Sequence, residues 1–156
     1  MKLNRIALFV LVLFAGTAMG VTTYPDVLGS ADGQVDFLNI EETSVTDPTP
    51  LFGEPKAIYI DDDPLVKTSI LLFKPDNFAS YAENGEADNT AGKLSMDLRA
   101  RGEGWFLNQI IVREIGDFGM TGAGSGSANV FGLLAAVNDL TGEILLDGLD
   151  VQPDPP

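Results

Sequence analysis

Carboxylates, hydroxyls, amides and aromatic rings are the groups this chain offers for chemistry, because its 156 residues include no histidine and no cysteine. Those absences remove Ser-His-Asp and Cys-His nucleophiles, zinc sites built on His or Cys, and haem held by His. Acids gather at Asp61, Asp62 and Asp63, at Glu83, Glu86 and Asp88, and at Glu114 with Asp117. Calcium takes about six to eight oxygen ligands, which loop carboxylates supply well. No stretch follows D-x-[DN]-x-[DN]-G; Asp88, Thr90 and Gly92 come nearest but lack a third ligand and a distal Glu. Glu114 and Asp117 are the stronger metal candidates, with calcium the expected ion, because "REIGD" leaves an expected buried strand and its charges need neutralising. Arg113 offers them a salt bridge instead, and the leading reading of all three clusters, this pair included, is solvated turn carboxylates with no metal bound. No cofactor is expected, calcium being the one alternative.

Aromatic rings stack on sugars, and Trp105 and Tyr59 are the leading candidates for such a ligand-binding platform, with Tyr81 and Tyr24 behind them. The competing reading of Trp105 is that it opens a central strand and belongs to the core. A glycosidase needs two carboxylates about 5 to 9.5 Å apart. Spacing along the chain assigns no pair to that role, so no catalytic residue is named.

The glycine run "GMTGAGSGSANVFG", Gly119 to Gly132, has the look of a phosphate cradle but not its parts. Ser125 follows Gly124 where G-x-x-x-x-G-K-[ST] needs a lysine, and Gly122, Gly124 and Gly126 give G-x-G-x-G with no βαβ pattern around them. It reads as a slack connection between strands.

The elements that must position these groups are strands. "KLSMDLRA" alternates, with Leu94, Met96, Leu98 and Ala100 on one face and Lys93, Ser95, Asp97 and Arg99 on the other. After a turn at "RGEG", "WFLNQIIVREI" is apolar on both sides, as expected for a covered central strand. Shorter strand segments are "QVDFLNI", "KAIYI", "LVKTSILLF" and "NFASYAE", separated by "TDPTP", "DDDP", "KPDN" and "ENGEADNTAG". "SANVFGLLAAVNDLTG" fits either a buried helix or a core strand; Gly132 favours the strand, and "EILLDGL" supplies a last one. The expected fold is all-β, a single antiparallel β-sandwich of jelly-roll-like or Ig-like type.

The first 20 residues differ in kind. Lys2 and Arg5 precede an apolar run from Ile6 to Ala15, and Ala18 and Gly20 occupy the small-residue positions of a cleavage site between Gly20 and Val21. The run is shorter than the roughly 20 apolar residues of a spanning helix. The expected organisation is a signal peptide at 1–20, a lead-in at 21–33, the β-sandwich domain at 34–149 and a Pro-rich tail at 150–156. Removing the leader takes two of nine basic residues and none of 23 acids, so the formal charge of -14 becomes more negative still. Nucleic acid and anionic lipid are therefore poor partners, since their phosphates are met by Lys and Arg. With 45% apolar residues the chain is equally unlike a disordered acidic polymer.

Two blocks, "EETSVTDPTPLFGEP" and "ADNTAGKLSMDLRARGEGWFLNQIIVREIGDFGMTGAGSGSANV", resemble exported bacterial proteins of the PEP-CTERM type. That family's Pro-Leu-Phe-Gly turn matches Pro50 to Gly53, its Asp-x-Thr-x-Gly-x-Leu strand entry matches Asp88 to Leu94, its Ala-x-x-Gly turn matches Ala100 to Gly104 with one extra residue, and its Glu-x-Gly-Asp segment matches Glu114 to Asp117. The family's sorting tail, Pro-Glu-Pro before a hydrophobic helix and a basic cluster, has no counterpart in "PDPP", which leaves truncation or release without an anchor as the two expectations. The resemblance implies a non-enzymatic protein of the bacterial envelope or extracellular matrix, at the cell surface, outside the cell or in the periplasm, associated with exopolysaccharide. The alternatives are a carbohydrate-binding module using exposed aromatics and a small carboxylate-dependent hydrolase.

Overall fold

The computed structural model describes residues 5–11, 20–47, 49–61, 63–75, 77–81, 83, 88–113, 130–138 and 144–151. These residues are all-β and antiparallel, with no helix among them. The strands are β1 (Arg5–Leu11), β2 (Gly20–Thr23), β3 (Val35–Ser44), β4 (Lys56–Ile60), β5 (Thr68–Leu72), β6 (Gly92–Ala100), β7 (Val130–Asn138) and β8 (Ile144–Val151). Six form one sheet in the order β2-β3-β6-β1-β7-β8, and β4 pairs with β5 in a second sheet.

β6 is the strand around which the core forms. Its two-residue period buries Leu94, Met96 and Leu98, and these join Phe37, Ile40 and Leu107 in one apolar cluster. Phe37 stands opposite Leu98 and Glu42 opposite Leu94, so β3 shares that face. The small sheet adds Ala57, Tyr59 and Leu71 to the packing, while Ile58, Ile60 and Leu72 stay exposed on its other side.

β3 does not keep a single alternation. Leu38 pairs with Asp97 and Glu41 with Ser95, which leaves Asn39 and Ile40 together opposite Met96, a β-bulge. Asn39 takes a φ of 50°, a left-handed conformation that asparagine tolerates better than most residues. Its N–H donates to Asp26 Oδ1 at 2.8 Å and its side-chain amide to Asp97 Oδ2 at 2.6 Å. The extra residue moves Ile40, Glu42 and Ser44 to the core side, and all three are buried.

Two charged side chains on β3 are sequestered, Asp36 before the bulge and Glu42 after it. Asp36 is 2% exposed and lies opposite Arg99; its Oδ2 accepts from Arg99 Nε at 3.1 Å and Nη2 at 2.6 Å, and its Oδ1 from Gly29 N at 2.9 Å. Arg101 approaches the same carboxylate at 3.4 Å and donates to the Gly29 carbonyl. Glu42, equally buried, accepts from the Leu51 N–H, from the Phe52 N–H at 3.2 Å and from the Tyr24 hydroxyl at 2.6 Å. The Pro50 to Gly53 turn is thus clasped to the sheet by a carboxylate that meets its backbone donors.

The expected strands in "QVDFLNI", "KAIYI", "LVKTSILLF", "KLSMDLRA", the segment after the glycine run and "EILLDGL" coincide with β3, β4, β5, β6, β7 and β8. Two expectations are corrected. Trp105 to Arg113 is a non-strand connection pinned by Leu107 and Ile110, with Phe106 and Ile111 exposed; apolar residues on both sides reflect that irregular path rather than a central strand. The described part of "NFASYAE", residues 77–81 and 83, is also outside any strand, its backbone engaged in local bonds such as Phe78 N to Pro75 O and Ala79 N to Asn77 O. Gly102 and Gly104, at φ 87° and 83°, make the expected turn after β6. Gly20 to Thr23, spanning the expected cleavage point and the start of the lead-in, pairs as β2 with Ser44 to Glu41, and Arg5 to Leu11 within the expected leader pairs as β1 with β6 and β7.

Candidate functional site

Three turns meet beside the Gly92 end of β6, and each is held by polar side chains. Thr46 Oγ1 accepts from Ala91 N at 2.9 Å and donates to Asp47 Oδ2 at 2.7 Å, while Asp47 N donates to Ser44 Oγ. Thr90 Oγ1 donates to the Ala79 carbonyl at 2.7 Å and accepts from Ser80 Oγ at 3.0 Å. Asp88 Oδ2 accepts from Tyr81 N at 2.7 Å and Oδ1 from Asn89 N at 2.8 Å. Asn77 Nδ2 reaches across to the Pro50 carbonyl at 2.9 Å.

Between these turns lies a cleft of about 370 Å³ lined by Thr46, Asp47, Thr49, Asn77, Ala79, Tyr81, Asp88, Asn89 and Thr90. Hydroxyls, amides and carboxylates dominate it, and Tyr81, one of its lining residues, is 80% exposed. Because Asp88 fixes the Tyr81 backbone, the ring is carried on a held loop rather than on a free one. Donors and acceptors facing an exposed aromatic are the parts that bind sugars, whose hydroxyls take the polar groups and whose ring face takes the aromatic. Among the described residues lining the cleft there is no lysine, and the chain has no His or Cys.

No family model, curated protein or solved structure matches the chain.

The expected platform residues fall elsewhere. Tyr59 is half-buried with its ring packed on the core, and its hydroxyl is enclosed with no hydrogen-bond partner among the described residues. Burial first, and the Asp36 charge second, push that phenol upward against the opposing effect of Arg101. It is therefore not a free stacking surface. Trp105 is half-buried on the connection after β6; its ring lies so close to Gly33 that a Cβ there would come within 2.8 Å of it. Neither residue lines the cleft. Tyr24 is half-buried and bonded to Glu42. Of the four aromatics singled out by sequence, only Tyr81 is exposed.

Among the acids, Asp61 accepts from Gln34 Nε2 at 3.1 Å and lies 3.8 Å from Lys67 Nζ, and Asp63 Oδ1 caps the Leu65 N–H at 2.7 Å. Glu114, Asp117, Asp62 and Glu86 lie outside the described residues, as does most of the glycine run. Among the described residues no three acids gather as a metal site. Asp88 and Thr90, the nearest approach to a calcium loop in the sequence, line the cleft. Thr46, Asp47, Asn77 and Asn89 were legible only as turn residues in "TDPTP", "KPDN" and "ADNT"; nothing in their spacing announces that three turns converge.

Proposed function

We propose that the protein is an exported, non-enzymatic β-sandwich of the bacterial envelope or extracellular matrix that contacts polysaccharide through the cleft beside Tyr81. The observation that carries this reading is the pairing of an 80% exposed aromatic ring with a polar lining of Asp, Asn and Thr side chains. The sandwich itself is the second part of the proposal: β4 and β5 serve as the covering layer, supported by the packing of Ala57, Tyr59 and Leu71 on the β3 and β6 core. The basic start, short apolar run and small-residue cleavage point of residues 1–20 support export. The acidic charge favours a neutral or cation-bridged polysaccharide over a polyanion.

Affinity electrophoresis against a panel of soluble polysaccharides tests the reading. Retardation by at least one neutral glycan, reduced about tenfold or more by Tyr81→Ala and unchanged by Tyr59→Phe, is the expected result, since one stacked ring contributes on the order of 1 to 2 kcal/mol. Mobility that no glycan alters, or that Tyr81→Ala leaves as it was, sinks the proposal.

A further inference from the structure

We propose that the position of β1, between β6 and β7, is an acceptor site for an extended apolar peptide strand from a polypeptide partner. The inference rests on the reading of residues 1–20 as a leader cut between Gly20 and Val21.

β1 is an internal strand. Arg5 to Leu11 pair with Arg99 to Lys93 on one side, and Ile6 to Leu11 pair with Asn138 to Leu133 on the other. The same residues begin the apolar run of the leader. Cleavage therefore takes away a middle strand and leaves two facing rows of backbone donors and acceptors, each of which needs a partner.

Closure of β7 onto β6 is the simplest repair, and strand direction opposes it. β1 is antiparallel to both neighbours, so β6 and β7 run parallel to one another. Every pairing among the described residues is antiparallel. Direct closure creates a parallel pair, slightly weaker per residue, and shifts β7 and β8 by one strand spacing of about 4.8 Å. A strand entering antiparallel to β6 requires neither change.

The chemistry of that strand follows from the register. Ile6, Leu8 and Val10 stand opposite Leu98, Met96 and Leu94, the buried positions of β6. An occupant is a segment of about seven residues in extended form, apolar at its second, fourth and sixth positions, its backbone giving affinity and its alternate side chains giving selectivity.

The test uses the protein recovered after export and a synthetic peptide of residues 4–12 with two added lysines. Expected are an N-terminus at Val21, saturable one-to-one binding, and amide exchange at Leu94, Met96 and Leu98 slowed at least tenfold. A peptide carrying Leu8→Pro, which lacks a ladder N–H, should do neither. The acceptor is overturned when both peptides are inert or act alike. A second variant probes closure: with a strand between them Met96 and Ala136 are two spacings apart, about 9.6 Å, beyond the roughly 7 Å limit for a disulfide. Spontaneous bridging of Met96→Cys to Ala136→Cys in the peptide-free protein assigns the space to β7 and overturns the proposal. A stable homodimer already protected at those amides assigns it to a second copy, with the same consequence. Retention of Met1 refutes the leader reading by itself and overturns the acceptor because β1 then keeps its place.

Discussion

Tyr24 donates its phenolic hydrogen to Glu42 Oε2 across 2.6 Å, joining the stretch after β2 to the core side of β3. The same carboxylate accepts the Leu51 and Phe52 N–H groups, so one buried side chain holds two chain segments at once. Glu42→Ala strands three donors in an apolar surrounding. The expected loss is about 3 kcal/mol by urea denaturation, with a fall in melting temperature of about 10 °C.

Alkaline pH should weaken the fold through the tyrosines. Burial, then the bond to Glu42 and that carboxylate's charge, push the Tyr24 phenol well above its ordinary value of 10.0, and burial pushes Tyr59 in the same direction. A phenol whose native value is raised contributes its full stability below the unfolded value and loses it as pH climbs towards the native one. Melting temperature is thus expected to decline above about pH 10. Tyr24→Phe should make the decline shallower; an identical slope in the variant argues that the phenol is solvated in the native state.

Asp36 and Arg99 face each other across β3 and β6 with the carboxylate 2% and the guanidinium 40% exposed. Asp36→Ala leaves two arginines and the Gly29 N–H without their acceptor. Because both arginines keep access to water, the expected cost is about 2 kcal/mol, below that of a wholly buried pair. Arg99→Lys retains charge but loses the two-pronged contact, with a cost of about 1 kcal/mol. Chemical denaturation of both variants checks the order.

Gly53 and Gly104 allow a controlled comparison. Both have positive φ, 72° and 83°, but a Cβ at Gly53 meets the Lys74 carbonyl oxygen at 2.8 Å while one at Gly104 meets nothing within 4 Å. Gly104→Ala should cost about 1 kcal/mol from backbone conformation alone. Gly53→Ala should cost about 1 kcal/mol more. Equal melting temperatures for the two variants contradict the close contact.

Strand identity was legible wherever one face is buried, as in β6, where Leu94, Met96 and Leu98 repeat every second residue. It failed at Trp105 to Arg113, because Leu107 and Ile110 are inserted into the core from an irregular path and their neighbours are apolar yet exposed. The buried charges were hidden for another reason: nothing in "QVDFLNIEE" announces that a bulge at Asn39 sends Glu42 rather than Glu41 inward. The cleft was least legible of all, since Thr46, Asn77 and Asp88 come from turns far apart in sequence whose meeting depends on tertiary structure.

The bulge at Asn39 also divides two duties between neighbouring side chains. Were β3 to straighten by slipping one residue, Glu41 would arrive where Glu42 now sits, and a carboxylate would still be offered to Tyr24 and the turn. The glutamate doublet is therefore indifferent to the parity of the strand. Ile40 is not: the slip would expose it and turn Asn39 inward. One fully buried isoleucine thus keeps the lower half of β3 from drifting, and the charges beside it follow its choice.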